Sequence, residues 1–98
     1  MSPDVVVFRP EAETEVLEAR QWYESRSEGL GRRFAAAVDA LMTRIVANPL
    51  AFPEVHGQTR RAVLTRFPYA IYFRIADEGL LVLAVHGRQD PAGWRARS

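Results

Sequence analysis

The side chains best suited to gripping a charged macromolecule cluster late in the chain. Arg60, Arg61, Arg66, Arg74 and Arg88 lie within a stretch of 29 residues, with Tyr72 and His86 among them. Every basic residue in the sequence is an arginine. Forked, permanently charged guanidinium groups suit carboxylate and phosphate recognition, whereas they are poor at moving protons near neutrality. The one group in this stretch with a suitable pKa for acid–base work is His86. Its strand parity with Val82 and Ala84 favours a packed strand-end histidine over chemistry. His56 reads as a solvated loop residue. Arg88 and Asp90 are placed to pair across the exit from the last strand. Paired carboxylates for hydrolysis are not apparent, because Glu11, Glu13, Glu15 and Glu18 read as a solvated helix face. Neither a phosphate-cradling glycine loop nor a Ser/His/Asp set occurs. Cysteine is absent, which removes thiolate metal sites and disulfides. No cofactor and no metal are expected, and a conventional metabolic enzyme is disfavoured.

Three strands must position these groups. Arg61–Arg66 alternates apolar and polar residues and is punctuated by Phe67-Pro68. Tyr69–Ile75 is β-branched and aromatic, as a half-buried pleated surface wants. Ala76-Asp77-Glu78-Gly79 is a turn in which Gly79 can take a positive φ. Leu80–Val85 is an apolar run too short for an ordinary helix. By strand parity Arg61, Tyr72 and Arg74 share one sheet face. Such a face can stack bases and grip phosphates, or pair with the acids of a protein partner. Tyr72 serves equally well as a cross-strand packing residue.

The first half supplies scaffold. Val5–Phe8 reads as a short strand that pairs with one of the three, since a lone strand cannot satisfy its own backbone. A helix runs from about Pro10 to Ser27, with proline in the first turn and Glu11, Glu13 and Glu15 where the macrodipole favours negative charge. Its buried stripe is Ala12, Val16, Ala19 and Tyr23, with Leu17 and Trp22 beside it. Glu28-Gly29-Leu30-Gly31 breaks the pattern. A second helix runs from Gly31 to Ala47 on Leu30, Phe34, Val38, Leu41 and Ile45, a clean amphipathic repeat ended by Asn48-Pro49. Leu50–Thr59 is an irregular connection with room for a short turn of helix. Pro91–Arg97, carrying Trp94, forms one terminal helical turn; Trp94 caps the core or meets a partner. The expected fold is α+β: a small antiparallel sheet with a helical hairpin on one face, in the order β-α-α-β-β-β with a short C-terminal helix.

The 98 residues suit one domain, residues 1–98. Up to Leu50 eight acids oppose six arginines; from Ala51 four acids oppose seven, so the second half is basic. The net charge of +1 is too small for a chain that coats nucleic acid, and strong binding of free nucleic acid is not expected. No run approaches the roughly 20 apolar residues of a membrane span, and the N-terminus lacks a signal peptide's basic start. The expected location is the cytoplasm.

The ordered set of segments resembles the RelE/ParE superfamily of type II toxin–antitoxin toxins, and more narrowly its ParE, or plasmid-stabilisation, branch. The segments are the opening strand with Pro10-Glu11-Ala12, Trp22-Tyr23, Arg32-Arg33-Phe34, Asn48-Pro49 and Phe52-Pro53. To these are added Arg60-Arg61, Arg66-Phe67-Pro68-Tyr69, Ile71-Tyr72-Phe73-Arg74, Leu83-Ala84-Val85-His86-Gly87-Arg88 and Asp90-Pro91. Arg9 departs from the pattern, where relatives usually carry a small polar cap. The resemblance implies an adjacently encoded antitoxin of ribbon–helix–helix type that wraps the toxin. It also implies either of two activities: stalling DNA gyrase on broken DNA, or ribosome-dependent cleavage of mRNA. Metal-free RNA cleavage needs a base for the 2′-hydroxyl, an acid for the leaving oxygen and cations on the phosphate. The RelE-like tyrosine or histidine after the last strand is replaced here by Arg88 and Gln89. Cleavage would therefore fall to His86 with Arg61, Arg74 and Arg88. A gyrase- or antitoxin-docking surface would use Arg60, Arg61, Arg66, Tyr72, Arg74, Arg88 and Trp94. The gyrase reading is the favoured one.

Overall fold

The computed structural model describes residues 5–87. Arg88, Asp90, Trp94 and the expected terminal helical turn therefore lie outside the described residues. The element order is β1 (Val6–Phe8), α1 (Pro10–Arg26), α2 (Leu30–Ala47), a 3-10 turn (Pro49–Ala51), β2 (Glu54–His56), β3 (Thr59–Val63), β4 (Tyr69–Ala76) and β5 (Gly79–Gly87).

The helical hairpin forms where the periodicity places it. Ala12, Ala19 and Tyr23 of α1 are buried and Val16 packs partly against them, while Leu17 and Trp22 are exposed. Phe34, Val38, Leu41 and Ile45 of α2 complete the helical side of the core. Neither helix has a side-chain cap at its own N-cap residue. For α2 the gap is filled from α1: Glu24 accepts hydrogen bonds from the Gly29 and Gly31 N–H groups at 2.9 and 3.0 Å. These bonds, the Gly29 N–H first, hold the Glu24 carboxyl below its usual pKa, with Arg32 and Arg20 adding to the effect against a smaller desolvation. Gly29 turns the chain at φ +83°, a left-handed conformation suited to glycine. Gly31 is where the helices touch, since a Cβ there would stand 2.5 Å from the Arg20 carbonyl oxygen.

The five strands form one sheet in the order β1-β5-β4-β3-β2. The β3-β4-β5 meander is antiparallel, as the composition predicts, but β1 runs parallel to β5, so the sheet is mixed. A parallel neighbour is possible because α1 and α2 lie in the connection between the two strands. Arg9 N–H donates to the Val82 carbonyl at 2.9 Å and Leu80 N–H to the Val5 carbonyl at 2.8 Å, which ties the chain ends of this pair. β2 is an additional strand inside the stretch expected to be irregular. It joins β3 through a Gly57-Gln58 turn with Gly57 at φ +56°. β3, at Thr59–Val63, begins two residues and ends three residues before the Arg61–Arg66 that the alternation suggests.

The helices cover one sheet face, burying Ala62, Ile71, Phe73, Leu80, Val82 and Val85. Phe67, which reads as punctuation, is instead a plug of the core. Its ring lies 4.9 Å from Tyr23 and 5.3 Å from Phe34, both edge-on. On the opposite face a smaller cluster joins Ala70, Tyr72 and Ala84, with Val55 of β2 against it. The run Leu80–Val85 serves both faces because of a bulge: Phe73 pairs with Val82 and Tyr72 with Ala84, leaving Leu83 as the extra residue. Val82 and Ala84 consequently face opposite sides, so His86 keeps the parity of Ala84 but not that of Val82, and it is a packed strand-end histidine.

Candidate binding surface

Arg60 and Arg61 are adjacent on β3 and so must face opposite sides of the sheet. Arg60 pairs in register with Phe73 of the main core, and its guanidinium is committed internally. It donates to the Phe52 carbonyl at 2.6 Å and approaches Glu54 at 3.7 Å, with a side chain only 17% exposed. Arg60 therefore fastens the irregular connection to the sheet. Arg61 pairs in register with Tyr72, and Tyr72 with Ala84, so these three lie on the face away from the helices. Arg74, two residues beyond Tyr72 on the same strand, shares that face.

Tyr72 is 1% exposed within the small cluster of that face. It supports the sheet and offers no ring for stacking. Arg61 and Arg74 are half-buried beside it. The Arg74 Nε is buried without a hydrogen-bond partner among the described residues, and Arg74 lines a recess with His56, Gly57, Gln58 and Thr59. Arg66 is exposed on the β3–β4 connection. It stands with Arg44 at an otherwise mainly apolar groove between α2 and β3, lined also by Ala37, Leu41, Val63 and Leu64. The sequence-selected cations thus do not form one patch. Arg61 and Arg74 occupy the outer sheet face, Arg66 a separate groove, and Arg60 the interior side.

His86 sits at the end of β5 against α1. Its Nδ1 lies 2.9 Å from the Glu15 carboxylate, and both side chains are about 15% exposed, at 16% and 15%. The other Glu15 oxygen accepts the Val85 N–H at 3.0 Å. That backbone group lies past the end of the β1 pairing, which stops at Val82. Glu15 thus substitutes for the missing strand and fixes His86 at once. A carboxylate on one imidazole nitrogen is the arrangement that orients a general base. Here, however, the other nitrogen, Nε2, is buried and has no hydrogen-bond partner among the described residues. The sequence reading placed Glu15 on a solvated face. The signal against that was its position, three residues after Ala12 and four before Ala19, inside the buried stripe.

A helical hairpin on one face of a five-stranded mixed sheet is the α+β fold of the RelE/ParE toxins. The toxin–antitoxin complex RelBE2 of Mycobacterium tuberculosis, known from its crystal structure, shares the fold. Its TM-score is 0.59 at 23% identity, over 88% of this chain and 99% of that one. Residues 6–91 match the family model described as the ParE toxin of the type II toxin–antitoxin system, parDE. Toxin ParE2 of M. tuberculosis is 32% identical over 81 residues, which is 81% of this chain and 77% of that protein. The same match is found in two strains of that organism. The chain belongs to the ParE toxin family of type II toxin–antitoxin systems.

Proposed function

We propose that this toxin acts by docking on DNA gyrase and stalling it on cleaved DNA, and that an adjacently encoded antitoxin of ribbon–helix–helix type neutralises it. The reading draws on the ParE family membership and on the RelBE2 neighbour, which was solved as a complex of toxin with antitoxin. The observation that carries it against RNA cleavage is the state of His86. The imidazole is locked to Glu15 with Nε2 enclosed, so the best proton-handling group of the strand region is a structural tie. Arg61 and Arg74 on the outer face, and Arg66 beside Arg44 in the groove, remain as docking cations. Guanidinium groups held this way recognise carboxylate and phosphate without transforming them.

The test is a growth assay on induction, with transcripts mapped by primer extension and plasmid topology read from the same cells. Growth arrest relieved by the neighbouring gene, with relaxed and cleaved DNA and uncut transcripts, is the expected result. Codon-phased cuts in transcripts that disappear in His86→Ala would replace this reading with mRNA cleavage.

A further inference from the structure

The recess beside the β2–β3 turn is a second feature of the outer face that has no role in the scaffold. It measures about 210 Å³ and is lined by His56, Gly57, Gln58, Thr59 and Arg74. Arg74 is half-buried and lines the recess, and among the described residues no acid is paired with it. A cation partly withdrawn from water without a counter-charge is costly, and such groups in native structures are normally compensated. Gly57 among its lining residues is exposed, and a Cβ there would meet nothing within 4 Å. We infer that this recess is a carboxylate-binding pocket, in which Arg74 receives an acidic side chain of a protein partner.

The surroundings favour a single carboxylate over a nucleic-acid backbone. The β2–β3 and β4–β5 turns lie at the same end of the sheet, because β3 and β4 run antiparallel. Exposed Asp77 and Glu78 of the β4–β5 turn therefore stand at the end where Arg74 lies. A chain of phosphates carries its charge past the recess towards that acidic turn, whereas a single carboxylate can end at Arg74. The inference rests on the reading that the chain works by docking on proteins, and it assigns one point of that contact.

The test is an NMR titration of the full chain with N-acetyl-aspartate N-methylamide, using sodium chloride at matched ionic strength as the reference. Inorganic phosphate and a short oligothymidylate are run in parallel. The expected result is a saturable shift of the Gly57, Gln58 and Thr59 amides and of the Arg74 Nε–H. In Arg74→Gln, binding should weaken by about tenfold, as for loss of a charge-assisted hydrogen bond. Gln58→Glu, an exposed change that puts a like charge at the rim, should weaken it without touching Arg74. Shifts no different from those of chloride, or shifts unaltered in both variants, would overturn the proposal. Tighter binding of the oligothymidylate at the same resonances would overturn the carboxylate assignment. Carboxylate binding with no effect on gyrase would leave the pocket standing and remove the gyrase reading alone.

Discussion

Glu15 bears more of the structure than any of the arginines that attract attention in the sequence. It closes an open stretch of β5 by accepting the Val85 N–H and holds His86 against α1. Substituting Glu15 with Ala leaves a buried N–H and an imidazole without partners. The expected loss is about 1–3 kcal/mol in chemical denaturation. Combined with His86→Ala, the same change should cost well below the sum of the two single losses. Arg60→Ala removes the side-chain donor to the Phe52 carbonyl, and should cost about 1–2 kcal/mol. Adjacent arginines differ here because strand alternation sends them to opposite faces. That rule was available in the sequence and separates Arg60 from Arg61 without coordinates. What no sequence rule supplies is the identity of a partner 70 positions away, as for Glu15 and Val85. For that reason the acids of α1 read as one solvated set.

At the level of elements, the two helices were legible because amphipathic spacing is a local signal that packing does not contradict. Their observed limits, Pro10–Arg26 and Leu30–Ala47, follow from Pro10, the glycine break and Asn48-Pro49. Strand β2 was not legible: three residues following Pro53 have little propensity of their own, and they become a strand only through pairing with β3. The bulge in β5 is hidden for a different reason. In a continuous apolar run every register looks equally buried, so nothing local marks Leu83 as the extra residue. The junctions make firm predictions. At Gly79, φ is +148° and a Cβ would lie 2.1 Å from the Val5 carbonyl oxygen, so Gly79→Ala must push β1 away from β5. The expected cost exceeds about 2 kcal/mol, with earlier amide exchange at Leu80, whose N–H bonds Val5. For Glu24 the folded pKa is lowered, so its contribution is present above the unfolded carboxylate range near pH 4 and disappears as pH falls through the folded pKa. Glu24→Gln should flatten the acid limb of the stability–pH curve and leave the neutral limb parallel to wild type.

The whole molecule is a rigid support for cations presented at separate places. Phe67, Phe34 and Tyr23 lock the β3–β4 connection to the helices, which fixes the connection that carries Arg66. The small Tyr72 cluster stiffens the sheet under Arg61 and Arg74. Tyr72→Ala should therefore reduce stability by about 3 kcal/mol, the usual cost of emptying a buried aromatic site. Any loss of toxicity in that variant would follow the loss of folded protein, whereas Arg66→Glu should weaken docking with the melting temperature unchanged. On the proposed function, the molecule disables its target by holding it. The most direct measurement is supercoiling by purified gyrase titrated with wild-type protein and with Arg66→Glu. The account predicts loss of supercoiling with accumulation of cleaved DNA near stoichiometric amounts, and a markedly higher requirement for the variant. Unimpaired supercoiling at stoichiometric excess of well-folded wild-type protein would contradict it.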